Sequence, residues 1–129
     1  MSNTTQLNLD RLAAKHAQAI INSTADKKAS DVDNTVTKAL GVLQENGVYA
    51  CFLYLFAKEK ENGRVVVEEM LNLLAGLNFG WGKPEDSSAE KVLRHISDKV
   101  TVDLERLLLV KETLEQMLIY ARYGAKARS

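Results

Sequence analysis

The sequence predicts an all-α fold, a compact single-domain bundle of about five to six helices covering residues 1–129, and three observations carry that prediction. Aromatic residues are only 6% of the chain while Leu and Ala are abundant, a balance that favours helix over sheet. One Pro in the whole sequence leaves little chain that must be non-helical. Apolar residues recur at helical spacing through most segments. A chain of 129 residues is one domain. At this size a chain buries roughly two-thirds of its unfolded surface and needs no disulfide or structural metal to hold a core.

The first helix is read from Leu9, Leu12, Ala13, Ala17, Ile20 and Ile21, with Asp10, Arg11, Lys15 and Gln18 mostly on the other side. Residues 22–33 (NSTADKKASDVD) are small and polar, a loop or weakly helical connector that carries Lys27 and Lys28. A second helix runs from about Asn34 or Thr35 through Val36, Leu40 and Leu43 to Asn46-Gly47, where Gly closes the helix end. The third starts at once. Its stretch VYACFLYLFA is apolar on nearly every face, which predicts a central helix and the hub of the core. KEKENG then turns fully polar, and Gly63 is expected as its C-terminal cap.

Val65, Val66, Met70, Leu73, Leu74 and Leu77 mark a fourth helix. The Gly-rich loop 76–88 holds three of the seven Gly, the only Pro and the only Trp. Ser87 and Glu90 have capping-box spacing before a short fifth helix with Ala89, Val92, Leu93 and Ile96 on its apolar face. Thr101 is expected to cap a sixth, on which Leu104, Leu107, Leu108, Leu114, Met117, Leu118 and Ala121 form one face.

Lys plus Arg and Asp plus Glu are 17 each, so the net charge is zero and the whole-molecule field draws in neither nucleic acid nor acidic membrane. Binding of that kind needs a local patch. Val48–Ala57, the most apolar run, is shorter than the roughly 20 residues a bilayer span needs. The start MSNTTQLNLD has no secretory pattern, so a cytoplasmic location is expected and the Asn-x-Thr triplets at Asn3 and Asn22 are idle.

No enzyme, metal or cofactor is predicted. His16 and His95 lie on separate helices without ligand spacing and read as packed or half-exposed side chains. Cys51, the lone cysteine, sits in the apolar helix as a small core residue with a raised pKa. The pairs Glu68-Glu69 and Glu85-Asp86 read as solvated faces. GLNFGWG lacks the Lys and Ser/Thr of a phosphate loop. Phe79 and Trp81 there either stack on RNA or a partner, or pin the loop to the core.

No acid follows Glu115, whereas Arg122, Lys126 and Arg128 accumulate with Tyr120 and Tyr123 interleaved. Such an end can hold a phosphate backbone. It can equally complement the negative pole of the helix dipole.

The order of a connector, a helix ending in Asn-Gly, an apolar helix and a long last helix with a Tyr-, Ala- and Lys/Arg-rich end resembles the small subunit of type III CRISPR effector complexes, in particular the Cmr small subunit. Leu43, Asn46, Gly47, Ala50, Phe52 and Leu53 carry the likeness in VLQENGVYACFLYLFAKE. Lys111, Glu112, Leu114, Leu118, Tyr120, Ala121, Lys126 and Ala127 carry it in VKETLEQMLIYARYGAKA. These are helix-packing patterns covering about half of the chain; Val48 stands where the family commonly has Leu, and Gly76–Lys99 does not match.

The resemblance implies a non-catalytic helical subunit of an RNA-guided antiviral ribonucleoprotein. By the same resemblance, copies are expected to stack head to tail, contact other effector-complex subunits and help hold guide and target RNA. On that reading the RNA-binding candidates are Lys111, Arg122 and Lys126, with Arg11 and Lys15 added as cations four apart on one helix face. Head-to-tail stacking needs two complementary patches. An acidic surface around Glu59, Glu61, Glu68 and Glu69 and the basic end with Arg128 supply them, and charge reversal at Glu68 and Glu69 is expected to weaken assembly. The alternatives are a protein-only adaptor or homodimer using the Leu104–Ala121 stripe, and a small enzyme or regulator with a site in the Phe79–Trp81 loop.

Overall fold

The computed structural model describes residues 8–128, so the Asn3 triplet lies outside the described residues. Six α-helices follow one another: α1 (Leu9–Ser23), α2 (Ala29–Asn46), α3 (Val48–Lys58), α4 (Glu61–Gly76), α5 (Ala89–His95) and α6 (Leu104–Arg128). A π-helical turn at Ile96–Val100 continues α5. No strand occurs among the described residues, and the fold is all-α.

Asn8 opens α1 by accepting a hydrogen bond from the Arg11 amide at 3.0 Å, and the helix buries Ala13, His16, Ala17 and Ile20. The connector is much shorter than 22–33: α1 runs on to Ser23 and α2 begins at Ala29. Two causes extend the helices. Thr24 donates from Oγ1 to the Ile20 carbonyl at 2.8 Å, and Asp31 in the first turn of α2 meets the positive end of that helix dipole.

Asn46-Gly47 closes α2 as expected. Gly47 has φ +98°, a region unfavourable to side chains; its amide bonds to the Leu43 carbonyl at 3.0 Å and its own carbonyl accepts from Cys51 at 3.1 Å. One residue thus ends one helix and starts the next. Cys51 is buried and its thiol is pushed up to about 12 by burial, which keeps it protonated.

The hub is α6 and not α3. The most extensive packing in the fold is of α6 against α1 and α2, whereas Tyr49 and Leu53 leave one side of α3 exposed. Lys126 pairs with Asp33 while Lys111 reaches Gln44, so α2 and α6 are antiparallel. Residues before Lys111 therefore run past the end of α2. Leu104 and Leu108 sit in that extension and are 68% and 53% exposed, so of the inward face expected from Leu104 to Ala121 only Leu107 packs on the core, half-buried, before full burial starts at Val110.

Three terminal residues differ from expectation. Gly63 caps nothing. It is the third residue of α4, and a Cβ there would lie 2.4 Å from the Glu59 Cβ, so a close approach requires the glycine. Ser88, rather than Ser87, caps α5 through the Lys91 amide, leaving Ser87 to donate to Glu68. Asp103 opens α6 by accepting from the Arg106 amide at 3.2 Å, and Thr101 instead donates to the Ser97 carbonyl.

Candidate nucleic-acid interface

The basic end of α6 is drawn into the bundle. Arg128 donates to the Thr24 carbonyl at 2.8 Å and the Lys27 carbonyl at 2.6 Å, with a longer bond to Ile21, so it satisfies the exposed carbonyls at the end of α1. Lys126 pairs with Asp33 at 3.0 Å. That hydrogen bond, with a second from Thr37, holds the Asp33 carboxyl below its ordinary range. Arg122 is half-buried beside the same aspartate, with its Nε shielded from solvent and donating no hydrogen bond. The structure thus brings Arg122 and Lys126 together around Asp33. Lys111 lies apart from them, about 17 Å from Arg122 and about 22 Å from Lys126 along the helix at 1.5 Å per residue, with one long 3.4 Å bond to the Gln44 carbonyl.

Arg11 and Lys15 are exposed on α1, and neither side chain has a hydrogen bond or ion pair among the described residues. They are the RNA candidates most available to an outside anion.

The expected acidic surface is dispersed by internal bonds. Glu69 accepts from His16 Nδ1 at 2.9 Å across the α1–α4 seam and from Asn72. Glu61 pairs with Lys27 at 3.2 Å, and Glu68 accepts from Ser87. Glu59 turns inward, accepting from Thr35 at 2.9 Å and Tyr54 at 2.8 Å. Of the stacking candidates, Glu59, Glu69 and Arg128 are engaged within the chain and half-buried, while Glu61 and Glu68 are still exposed.

A second basic region was missed in the sequence. A groove of about 430 Å³ lies between α2 and the α3–α4 joint, lined by Lys27, Lys38, Lys58 and Lys60 together with Asp31, Glu59 and Glu61. Lys38, Lys58 and Lys60 are exposed and have no ion pair or hydrogen bond among the described residues. The signal was KEKENG, read only as a polar helix end.

Phe79 and Trp81 pack edge to face with ring centroids 5.0 Å apart, and the Arg106 guanidinium lies 4.7 Å over the Phe79 ring. Both rings are half-buried against the core, so they pin the loop. Among the described residues, no group of three or more His, Cys, Asp or Glu is placed to hold a metal, and no helix is long and apolar enough to cross a membrane. Comparison with protein-family models, curated proteins and solved structures finds no match to this chain.

Proposed function

We propose that this protein is a non-catalytic small subunit of a type III CRISPR effector ribonucleoprotein, acting in antiviral defence in the cytoplasm. Several copies stack along the backbone subunits and help to hold guide and target RNA. The observation that carries the reading is the packing of the two stretches that bear the family likeness. The Asn46-Gly47 turn joins α2, which lies antiparallel on α6, to α3, which meets α6 only sparsely, and Lys111 is set against the end of α2. Likeness in two remote stretches has a physical basis when they share one interface. The exposed, uncommitted Arg11 and Lys15 add a local cationic face to a chain of zero net charge. Weak contacts of this kind suit a subunit whose affinity accumulates over many linked copies.

The test is affinity purification of the tagged protein from its native cells at low salt, with mass spectrometry of the proteins and sequencing of the RNA. Repeat-derived guide RNAs together with large backbone subunits are the expected recovery. Recovery of the protein alone, or with itself only, defeats the proposal.

A second reading, a protein-only adaptor or homodimer, is favoured by one observation: Val102 just before α6, and Leu104 and Leu108 at its start, stand 73%, 68% and 53% exposed. It predicts that Leu108→Lys abolishes self-association in sedimentation experiments without RNA. A wild-type chain that sediments as a monomer at all concentrations rules out the homodimer.

A further inference from the structure

One acid of the α2/α3–α4 groove, Glu59, turns inward while three of its lysines stay exposed, and one glycine makes that arrangement. Without a Cβ on Gly63, the Glu59 stem lies against the first turn of α4, and its carboxylate reaches Thr35 on α2 and Tyr54 on α3. Burial and the bond to Glu59 push the Tyr54 hydroxyl up to about 12, so it stays protonated and keeps donating at neutral pH. Glu61 is held by Lys27. Lys58 and Lys60 flank Glu59 in sequence yet share no bond with it, and Lys38 joins them from α2. Four lysines and three carboxylates line the groove, a net charge of +1, and Lys38, Lys58 and Lys60 are the cations that no carboxylate holds.

Lysines without a bonded carboxylate are available to an outside anion, and a single strand offers one phosphate per nucleotide. We infer that this groove is a phosphate-binding site in which Lys38, Lys58 and Lys60 hold the backbone of single-stranded RNA. The inference rests on the RNA reading above for its occupant. Its phosphate chemistry stands on the groove alone.

The experiment titrates the full-length chain with tripolyphosphate and, separately, with a ten-nucleotide oligouridylate, following backbone amides by NMR and affinity against salt. Both ligands are expected to shift amides of Asn34–Lys38 and Lys58–Asn62. The triple variant K38A/K58A/K60A is expected to lose those shifts and to flatten the log–log salt slope for RNA by about 2, at about 0.7 per phosphate contact. All three side chains are exposed, so unchanged circular dichroism shows that the variant still folds.

Groove shifts with tripolyphosphate but no RNA binding anywhere keep the anion site and overturn RNA as its occupant, and with it the RNA reading. RNA binding that moves only the amides around Arg11 and Lys15, with an unchanged slope in the triple variant, overturns the groove and leaves the RNA reading standing. Silence of the groove toward both ligands overturns the inference entirely.

Discussion

Two glycines inside helices show how far one side chain's worth of space decides stability. A Cβ at Gly41, in the middle of α2, would meet nothing within 4 Å. G41A should therefore stabilise the protein by about 1 kcal/mol, the helix propensity that Gly forgoes. At Gly63 the same methyl would strike Glu59 at 2.4 Å. Overpacking costs about 1–3 kcal/mol against about 1 gained in propensity, so G63A should be destabilising on balance. Urea unfolding of both variants checks the pair, and equal shifts for both would refute the close approach. His95 makes a third residue-scale prediction. Burial first, and the charge of Lys99 second, hold its imidazole below the ordinary 6.5, and its Nε2 is shielded without a partner. As pH falls through 6.5 the unfolded chain takes up a proton that the folded chain refuses, so stability is full above that value and declines below it. Replacement His95→Gln should flatten the dependence of the urea midpoint between about pH 7.5 and 5, relative to the wild type.

Elements are held here by charges that a linear reading assigns to the outside. Arg128 closes the end of α1 by bonding carbonyls more than a hundred positions away in the chain, a separation of 101 residues for Lys27. Charge-assisted bonds of this kind are worth about 1.5–3 kcal/mol, so Arg128→Met should lower stability by about that much and speed hydrogen exchange at Lys27 and neighbouring amides. Unchanged exchange there would mean the clamp is not formed in solution. The helices themselves were legible, because apolar residues at helical spacing report a buried face whatever it packs against. Their ends and partners were legible only where one residue dictates the backbone, as Gly47 does. Gly63 looks the same in sequence as Gly47, yet its role depends on Glu59 lying against it. Likewise Leu104 and Leu108 continue the period of α6, and only the length of α2 beside it leaves them uncovered. KEKENG reads as a polar helix end, but Glu59 turns into the bundle and leaves Lys58 and Lys60 outside.

At the scale of the whole molecule, the all-α class follows from composition and period, while the distribution of charge follows from tertiary pairing that no local pattern encodes. A chain with equal numbers of acids and bases still presents uncommitted cations, since internal hydroxyls, amides and a histidine take up several of its carboxylates. The same packing binds the periphery to the core. The buried residues form one contiguous cluster, and Phe79 and Trp81 pack against it from the Gly-rich loop. Arg106 over Phe79 ties that loop to the first turn of α6, the helix that also carries the main seams with α1 and α2. A domain with a single core of this size unfolds as one cooperative unit. Because Trp81 is the only tryptophan, its fluorescence reports the loop while far-ultraviolet circular dichroism reports the helices. The two urea transitions should coincide in midpoint and slope. Arg106→Ala should then shift both together, by about 0.5–1 kcal/mol for loss of an exposed cation–π contact. A fluorescence transition that precedes the loss of helix in the wild type would make the loop a separate unit and return Phe79 and Trp81 to the surface available for partners.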